Sequence, residues 1–438
     1  MKKIIVLLAA AGLFFPAHAQ ENKASIEVHG FIRNYYAFDT RRMKGLTEDF
    51  FTYVPYDVED IVVEGKRVAD ANEYPNFRFA ALTSRLWVEA KGYEVEGWKV
   101  GARVEGDFYN GLSSTTPKNN VEDRTTGTAN FRLRQAFVTL AKNDLTIKAG
   151  QSWHPMAADM PDIFSLNTGA PFGPFSRTPL FQADYKLFGG LSLTAAALWQ
   201  MQYASNGPDG KSASYIKYGN TPELYAGVNF KQGGLLVRAG LDMLSIKPVY
   251  KDNYGFRKDR ITTFSPFLYA QYAKDLFSVK FKTVFAQAGD HLNLNGGYGV
   301  SKIFTTGKDN GNREYTPTRN SSSWLSLCYG KKLQGILFAG YVKNFGTMAA
   351  VVKPAGATKE NEYFWFSGNG ASNLNQMFRL TPSVIYNLGK VAFGLEYEVT
   401  GVEYGDKDAG MNLATGLYEQ GLHWVVNHRV QGMLKYTF

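Results

Sequence analysis

The chain closes on HWVVNHRVQGMLKYTF, His423 to Phe438. Phe438, Tyr436, Leu434, Gly432, Val430 and Val426 fall on one face of an extended strand. Thr437, Lys435, Met433, Gln431, Arg429 and Asn427 fall on the other. A period of two is the signature of a strand with two unlike faces. One face is apolar and ends in aromatics, while the other is polar and charged. The bland reading is a half-buried terminal strand in a soluble sandwich. The position of Phe438, last in the chain and on the apolar face, points elsewhere.

This ending resembles the C-terminal signal of outer-membrane β-barrel proteins, a final strand closed by Phe. The resemblance implies barrel-assembly machinery as a partner that reads this strand. The N-terminus agrees. Lys2 and Lys3 precede an apolar run from Ile4 to Phe15, and Ala17-His18-Ala19 forms a small-x-small site before Gln20. That pattern is a secretory leader, residues 1–19, removed on export. Its apolar run is shorter than the roughly 20 residues a spanning helix needs. No Cys follows the site, so no lipid anchor is expected. No later apolar run reaches helical spanning length. The exported chain is therefore expected to be soluble or a barrel, since only helices and closed barrels satisfy their backbone groups in lipid.

Composition favours the barrel. Aromatic residues make up 15% of the chain and there are 44 glycines, yet mean hydropathy is only −0.25. A barrel wall needs apolar residues at every second position only. A single cysteine, Cys328, leaves no intrachain disulfide framework. The formal charge is +9, of which Lys2 and Lys3 belong to the leader. A basic balance suits nucleic acid, an acidic surface or an anion-attracting cavity. Export and the absence of a nucleic-acid motif set the first aside. A chain of 438 residues less its leader is too long for a small eight-stranded barrel and falls in the range of open channels.

Strand-like segments come in pairs, joined alternately by short turns and long polar stretches. They run 25–40, 77–92, 98–110, 130–142, 145–153, 180–188, 191–203, 223–231, 235–246, 262–273, 277–288, 322–330, 336–345, 377–388, 391–403 and 423–438. Gly189-Gly190, Gly233-Gly234 and Asn143-Asp144 supply the backbone freedom of tight hairpins. The expected fold is all-β: one domain over 20–438, a transmembrane antiparallel barrel of about 16 strands. All short turns lie on one side, the periplasmic one, and the long loops on the external side. An extra hairpin in 41–76 or 289–320 would make eighteen strands.

Alternation separates the wall's two faces. Val237, Ala239, Leu241 and Met243 oppose Arg238 and Asp242; Phe277, Val279, Phe281 and Phe285 oppose Ser278, Lys280 and Lys282. A charge turned to lipid near the midplane costs about 2–4 kcal/mol. The charged faces are thus assigned to the lumen. They carry Arg33, Arg85, Arg103, Arg132, Arg134, Lys148, Arg238, Lys280, Lys282, Arg379, Arg429 and Lys435 against fewer acids, including Glu105, Asp107, Asp242, Glu396 and Glu398. For any one of them the plainer reading is a wall charge paired across strands. The summed excess predicts an anion preference. Asn130–Lys142 alternates badly, because Arg132 and Arg134 share a face with Val138 and Leu140. A bulge or a neighbouring subunit would account for it. Trp98, Trp199, Trp324, Tyr436 and Phe438 are expected in the interfacial girdles.

The stretch after the fifth strand, WHPMAADMPDIFSLNTGAPFGPFSRTP from Trp153 to Pro179, carries too many apolar residues for a loop bathed in water. It is expected to pack inward. The preceding pair contains Arg132-Leu133-Arg134, Ala136-Phe137, then Ala149-Gly150-Gln151-Ser152-Trp153. This resembles the DcaP-like porins of Gram-negative outer membranes over about 25 residues, and the remainder matches as a sixteen-strand layout. The resemblance implies a trimer of diffusion channels for small anionic or polar solutes, surrounded by outer-membrane lipid and lipopolysaccharide. It also implies a constriction loop. On that basis Asp159, Asp162 and Arg177 come from the loop, with Arg132, Arg134, Lys148 and Arg103 on the facing wall. An acidic loop opposite a basic wall would set a transverse field. The N-terminal helical extension of some such porins has no counterpart before the first strand.

An enzyme is not expected: there is no Gly-x-Ser-x-Gly and no His-Glu-x-x-His. Neither a cofactor nor a metal is expected from these patterns. Two further readings stay open, a substrate-specific channel of phosphate or dicarboxylate type, and a blocked barrel serving as an adhesin or structural protein.

Overall fold

The computed structural model describes residues 24–46, 50–81, 83–109, 130–252, 255–307, 310–367 and 369–438. The leader and the 111–129 loop lie outside them.

Sixteen antiparallel strands form the ring. They are β1 (Ser25–Asp39), β2 in two pieces (Asn76–Ala80 and Arg85–Val95), β3 (Trp98–Tyr109), β4 (Asn130–Lys142), β5 (Leu145–Trp153), β6 (Arg177–Lys186), β7 (Leu191–Leu198) and β8 (Glu223–Gln232). Then follow β9 (Leu235–Ile246), β10 (Ile261–Lys274), β11 (Phe277–Gln287), β12 (Arg313–Gly330), β13 (Leu333–Thr347), β14 (Leu374–Leu388), β15 (Val391–Tyr404) and β16 (His423–Thr437). Each pairs with the next, and the ring closes where β16 pairs with β1, from Phe31↔Thr437 to Asp39↔Arg429. Both pieces of β2 continue along the other edge of β1. Closure leaves no unpaired edge, which is what a sheet in hydrocarbon requires.

The stretch 41–76, where an extra hairpin would have made eighteen strands, holds two short pairs that stay out of the ring. Met43–Leu46 pairs with Phe51–Pro55, and Asp60–Val63 with Lys66–Asp70. In the later stretch Gly297–Ile303 pairs with the outer part of β12 and with Phe364–Phe366. Sixteen strands is therefore the count.

Turn chemistry fixes the register. Glu96-Gly97 and Gly189-Gly190 both place two successive residues at positive φ (50° and 77°, 55° and 86°). That is the mirror-image turn whose twist suits a two-residue hairpin. At Gly190 a Cβ would stand 2.1 Å from the Lys231 carbonyl oxygen, so only glycine fits.

The faces separate as the sequence predicts. On β16, Trp424, Val426, Val430, Leu434, Tyr436 and Phe438 are exposed on the outside, while Asn427, Arg429 and Gln431 are fully buried inside. The blemish in β4 is a bulge. Glu105 pairs with Gln135 and Gly106 with Leu133, so Arg134 is an extra residue. The insertion turns Arg134 and Gln135 both inward, and Leu133 and Val138 both outward. Trp324 departs from expectation. It is buried, inside the barrel, against Phe338 and under Gly173 of the inner loop. Its β12 position has inward parity, and the indole fills space beside the loop.

Candidate functional site

Residues 154–176 leave β5 at the barrel end opposite the short turns and fold into the barrel. Met156, Ile163, Phe164, Leu166, Phe172 and Phe175 are buried there. Each fully buried side chain of this size stabilises the packed state by roughly 1.5–3 kcal/mol. Glycines on the wall make the seats: a Cβ on Gly340 would meet the Phe172 ring at 2.4 Å, and one on Gly394 would meet Phe164 at 2.8 Å. The loop's backbone is satisfied by wall side chains, as buried backbone must be. Tyr35 donates to the Phe164 carbonyl at 2.7 Å, Arg379 to the Ala170 carbonyl at 2.9 Å, and Lys282 to the Met156 carbonyl at 2.9 Å. Asn167 donates to Glu398 at 3.0 Å.

The hairpin of Met43–Leu46 and Phe51–Pro55 folds inward as well, which no sequence feature predicted. Phe50, Phe51, Tyr53 and Val54 are buried, Phe51 lies edge-on to Phe175, and the Tyr53 and Tyr203 hydroxyls are 3.1 Å apart.

These two insertions leave a cavity of about 670 Å³. One side is apolar loop: Ala158, Met160, Leu166, Phe175, with Thr168. The other is wall, and it carries Arg33 from β1, Arg85 from β2, Arg132 and Arg134 from β4, and Arg177 from β6. Lys211 adds a charge from the loop after β7. Burial lowers the Lys211 ammonium below its ordinary range, with Asp290 pulling weakly the other way.

Two buried carboxylates on β3 hold part of this cluster. Glu105 accepts from Arg134 at 2.6 Å and Arg103 at 2.5 Å, and lies 3.5 Å from Arg85. Asp107 accepts from Arg132 at 2.9–3.0 Å and Arg134 at 2.8 Å. Five guanidinium groups against two carboxylates leave the cavity basic. Arg33 and Arg177 have no carboxylate partner among the described residues. Arg33 donates to Thr83 at 2.8 Å, but its Nε, Arg85 Nε and Arg177 Nη1 are buried without a hydrogen-bond acceptor. Their flat faces rest on rings: Arg33 on Tyr35 at 4.8 Å, Arg132 on Tyr109 at 4.0 Å, Arg177 on Trp153 at 4.8 Å. Stacking covers the faces; Arg132 spends its N–H edge on Asp107, whereas Arg33 and Arg177 keep N–H groups for a planar or tetrahedral anion.

Of the constriction residues expected from the resemblance, the cavity gathers Arg132, Arg134 and Arg177, joined by Arg33 and Arg85 from the charged faces. Arg177 belongs to the first position of β6, not to the loop. Asp159 and Asp162 do not face the arginine cluster. Asp159 lies 3.0 Å from Arg238, and Asp162 2.5 Å from Lys280, so both fasten the loop to the opposite wall. Lys282 is spent on the Met156 and Asp159 carbonyls. The expected acid-against-base field is replaced by arginines facing an apolar loop. The reason is packing: a buried loop needs its charges neutralised by the wall it touches. Arg103 sits beside Glu89 at 2.9 Å, and Lys148 over the Phe137 ring. Arg379 and Arg429 are buried under the inner loop and first hairpin, Arg429 bound to Asp39 at 2.8 Å and Arg379 3.4 Å from Glu398. Arg33 and Arg85 were legible as inward-parity charges; their convergence was not.

No family model and no curated protein sequence matches the chain. Solved structures do. The outer membrane channel DcaP of Acinetobacter baumannii superposes with a TM-score of 0.61 at 17% identity, covering 97% of this chain and 100% of that one. An anion-selective porin from Comamonas acidovorans gives 0.51 at 11% identity, with 95% and 100% covered. The chain has the fold these barrels share.

Proposed function

We propose that this chain is a Gram-negative outer-membrane porin: a water-filled channel for small hydrophilic solutes that prefers anions. The barrel with an inward loop supports the channel. The observation that carries the preference is the arginine cluster, with three buried guanidinium N–H groups that lack an acceptor. Buried donors without a partner are costly, and a permeating anion or its water supplies the missing acceptors. A row of cations in a narrow, low-dielectric passage sets ion preference by sign. The Comamonas structure is named as anion-selective, in keeping with this reading.

The leader at residues 1–19 delivers the chain for export, and the strand ending at Phe438 engages the assembly machinery. A trimer is supported by the outside of β6–β8, where Ala183, Ala195 and Ala226 line up in register across three strands. Small residues let protein surfaces approach closely, whereas lipid does not need them.

A dicarboxylate- or phosphate-selective channel is a narrower version of the same reading, favoured by the presence of Arg33 and Arg177 N–H groups without an acceptor on the wall of one cavity. Liposome swelling tests both. Solutes of equal size but opposite charge are compared in vesicles holding the purified protein. Faster entry of the anion supports the proposal; equal rates, or faster entry of the cation, contradict it. Saturation of the anion's rate selects the narrower version.

A further inference from the structure

Away from the arginine cluster, four ionisable side chains from distant segments converge in the barrel's external half. His154 opens the inner loop, Glu223 begins β8, Asp242 lies on β9, and His291 sits in the short helical turn after β11. All four are at least 98% buried. His291 Nε2 is 3.5 Å from both carboxylates, and His154 Nε2 is 2.9 Å from Glu223 and 3.5 Å from Asp242. The ligating atoms of His154, Glu223 and Asp242 all lie within 4.8 Å of one another.

We propose that Glu223, Asp242 and His291 bind a divalent cation of the zinc class, with His154 positioning Glu223. Two details point to a ligand. First, among the described residues, His291 Nε2 and Asp242 Oδ1 are buried and make no hydrogen bond, their nearest charged neighbours standing 3.5 Å away. Second, His291 Nδ1 is 3.1 Å from the Ala288 carbonyl, so Nδ1 carries a proton and Nε2 is the atom turned toward the two carboxylates. That back-hydrogen-bond is the habitual second partner of a metal-bound imidazole. Ligand atoms on a tetrahedral ion at about 2.0–2.1 Å stand roughly 3.3 Å apart, close to the 3.5 Å from His291 Nε2 to each carboxylate. Imidazole with carboxylate suits zinc-class ions, whereas calcium requires six or more oxygens.

His154 has a different role. Its Nδ1 accepts the Met156 N–H at 3.2 Å, so Nε2 carries the proton and donates it to Glu223. It orients a ligand and joins the ion to the first turn of the inner loop. The site thereby ties that loop's root to β8, β9 and the turn after β11.

The test uses the full-length protein folded in detergent and stripped with EDTA. Zn²⁺ alone is titrated by calorimetry, and Co²⁺ is followed by its visible spectrum. The expected result is one ion per chain and a zinc-dependent rise in unfolding temperature. Asp242→Asn, which keeps the side chain's shape, and His291→Ala abolish both effects. His154→Gln weakens binding by roughly 10–100-fold while leaving the Co²⁺ spectrum's form unchanged. No stoichiometric Zn²⁺ uptake by the folded wild type, or uptake that survives Asp242→Asn and His291→Ala, overturns the proposal. Neither result bears on anion preference, which rests on other residues.

Discussion

Among the described residues, Arg33 and Arg177 are the two cavity arginines without a carboxylate partner. Replacing either with Gln keeps length and hydrogen-bonding capacity and removes one charge. In a narrow passage that shields the charge less than open water does, it is worth at least about 0.5 kcal/mol to an anion, a factor of roughly two or more. The chloride-to-potassium permeability ratio should fall by about that factor per substitution, measured from zero-current potentials. Asp107 behaves oppositely. Asp107→Asn removes the acceptor of two arginines, so anion preference rises. The same change breaks a buried charge network, at a cost of about 3–5 kcal/mol. It should lower the temperature at which the barrel unfolds on gels. Lys211 gives a pH signature. Because burial lowers its pKa, it loses its charge at lower pH than an exposed lysine. Raising the pH toward that of free lysine should therefore reduce anion preference in the wild type, and the drop should vanish in Lys211→Arg.

Among the elements, the inner loop is held by shape as much as by charge. Gly340→Val puts a branched side chain where the Phe172 ring lies. Overpacking of this kind costs about 1–3 kcal/mol. The expected outcome is a loosened loop, seen as larger and noisier single-channel conductance with the barrel intact; unaltered conductance would show that Phe172 does not hold the loop in place. The sequence made the strands legible and the loop's destination illegible, for one physical reason. Strand faces are read locally, since alternate residues meet lipid or water and the pattern repeats every two positions. β4, β5 and β9 were bounded to the residue on that basis. Where Asp159 and Asp162 end up depends on which wall a 23-residue loop folds against, and spacing carries no such information. The Arg134 bulge lies between these cases: the broken alternation announced an irregularity, but only pairing with β3 identified it. The expected start of β12 fell short because Arg313–Ser321 is polar and carries no apolar alternation to mark it as strand.

At the scale of the molecule, the ring's two sides differ. β12 to β16 and β1 are 14–18 residues long, and β5 to β8 only 8–10. The shorter side carries the aligned alanines of β6, β7 and β8. If that side faces neighbouring subunits, Ala195→Leu should break trimers into monomers in detergent, as measured by light scattering. Leucine facing lipid would do no harm, so a trimer unaffected by Ala195→Leu would place the interface elsewhere. The chain thus reads as a wall built for lipid outside, an apolar plug fastened to one half of the lumen, and a basic passage left along the other. That passage is the central claim. The most direct test is the zero-current potential of the wild-type protein in a planar bilayer under a potassium chloride gradient. A potential favouring chloride, displaced toward zero in the Arg33→Gln/Arg177→Gln double variant, is the predicted result. A cation-favouring potential, or one that the double variant leaves in place, would contradict the claim.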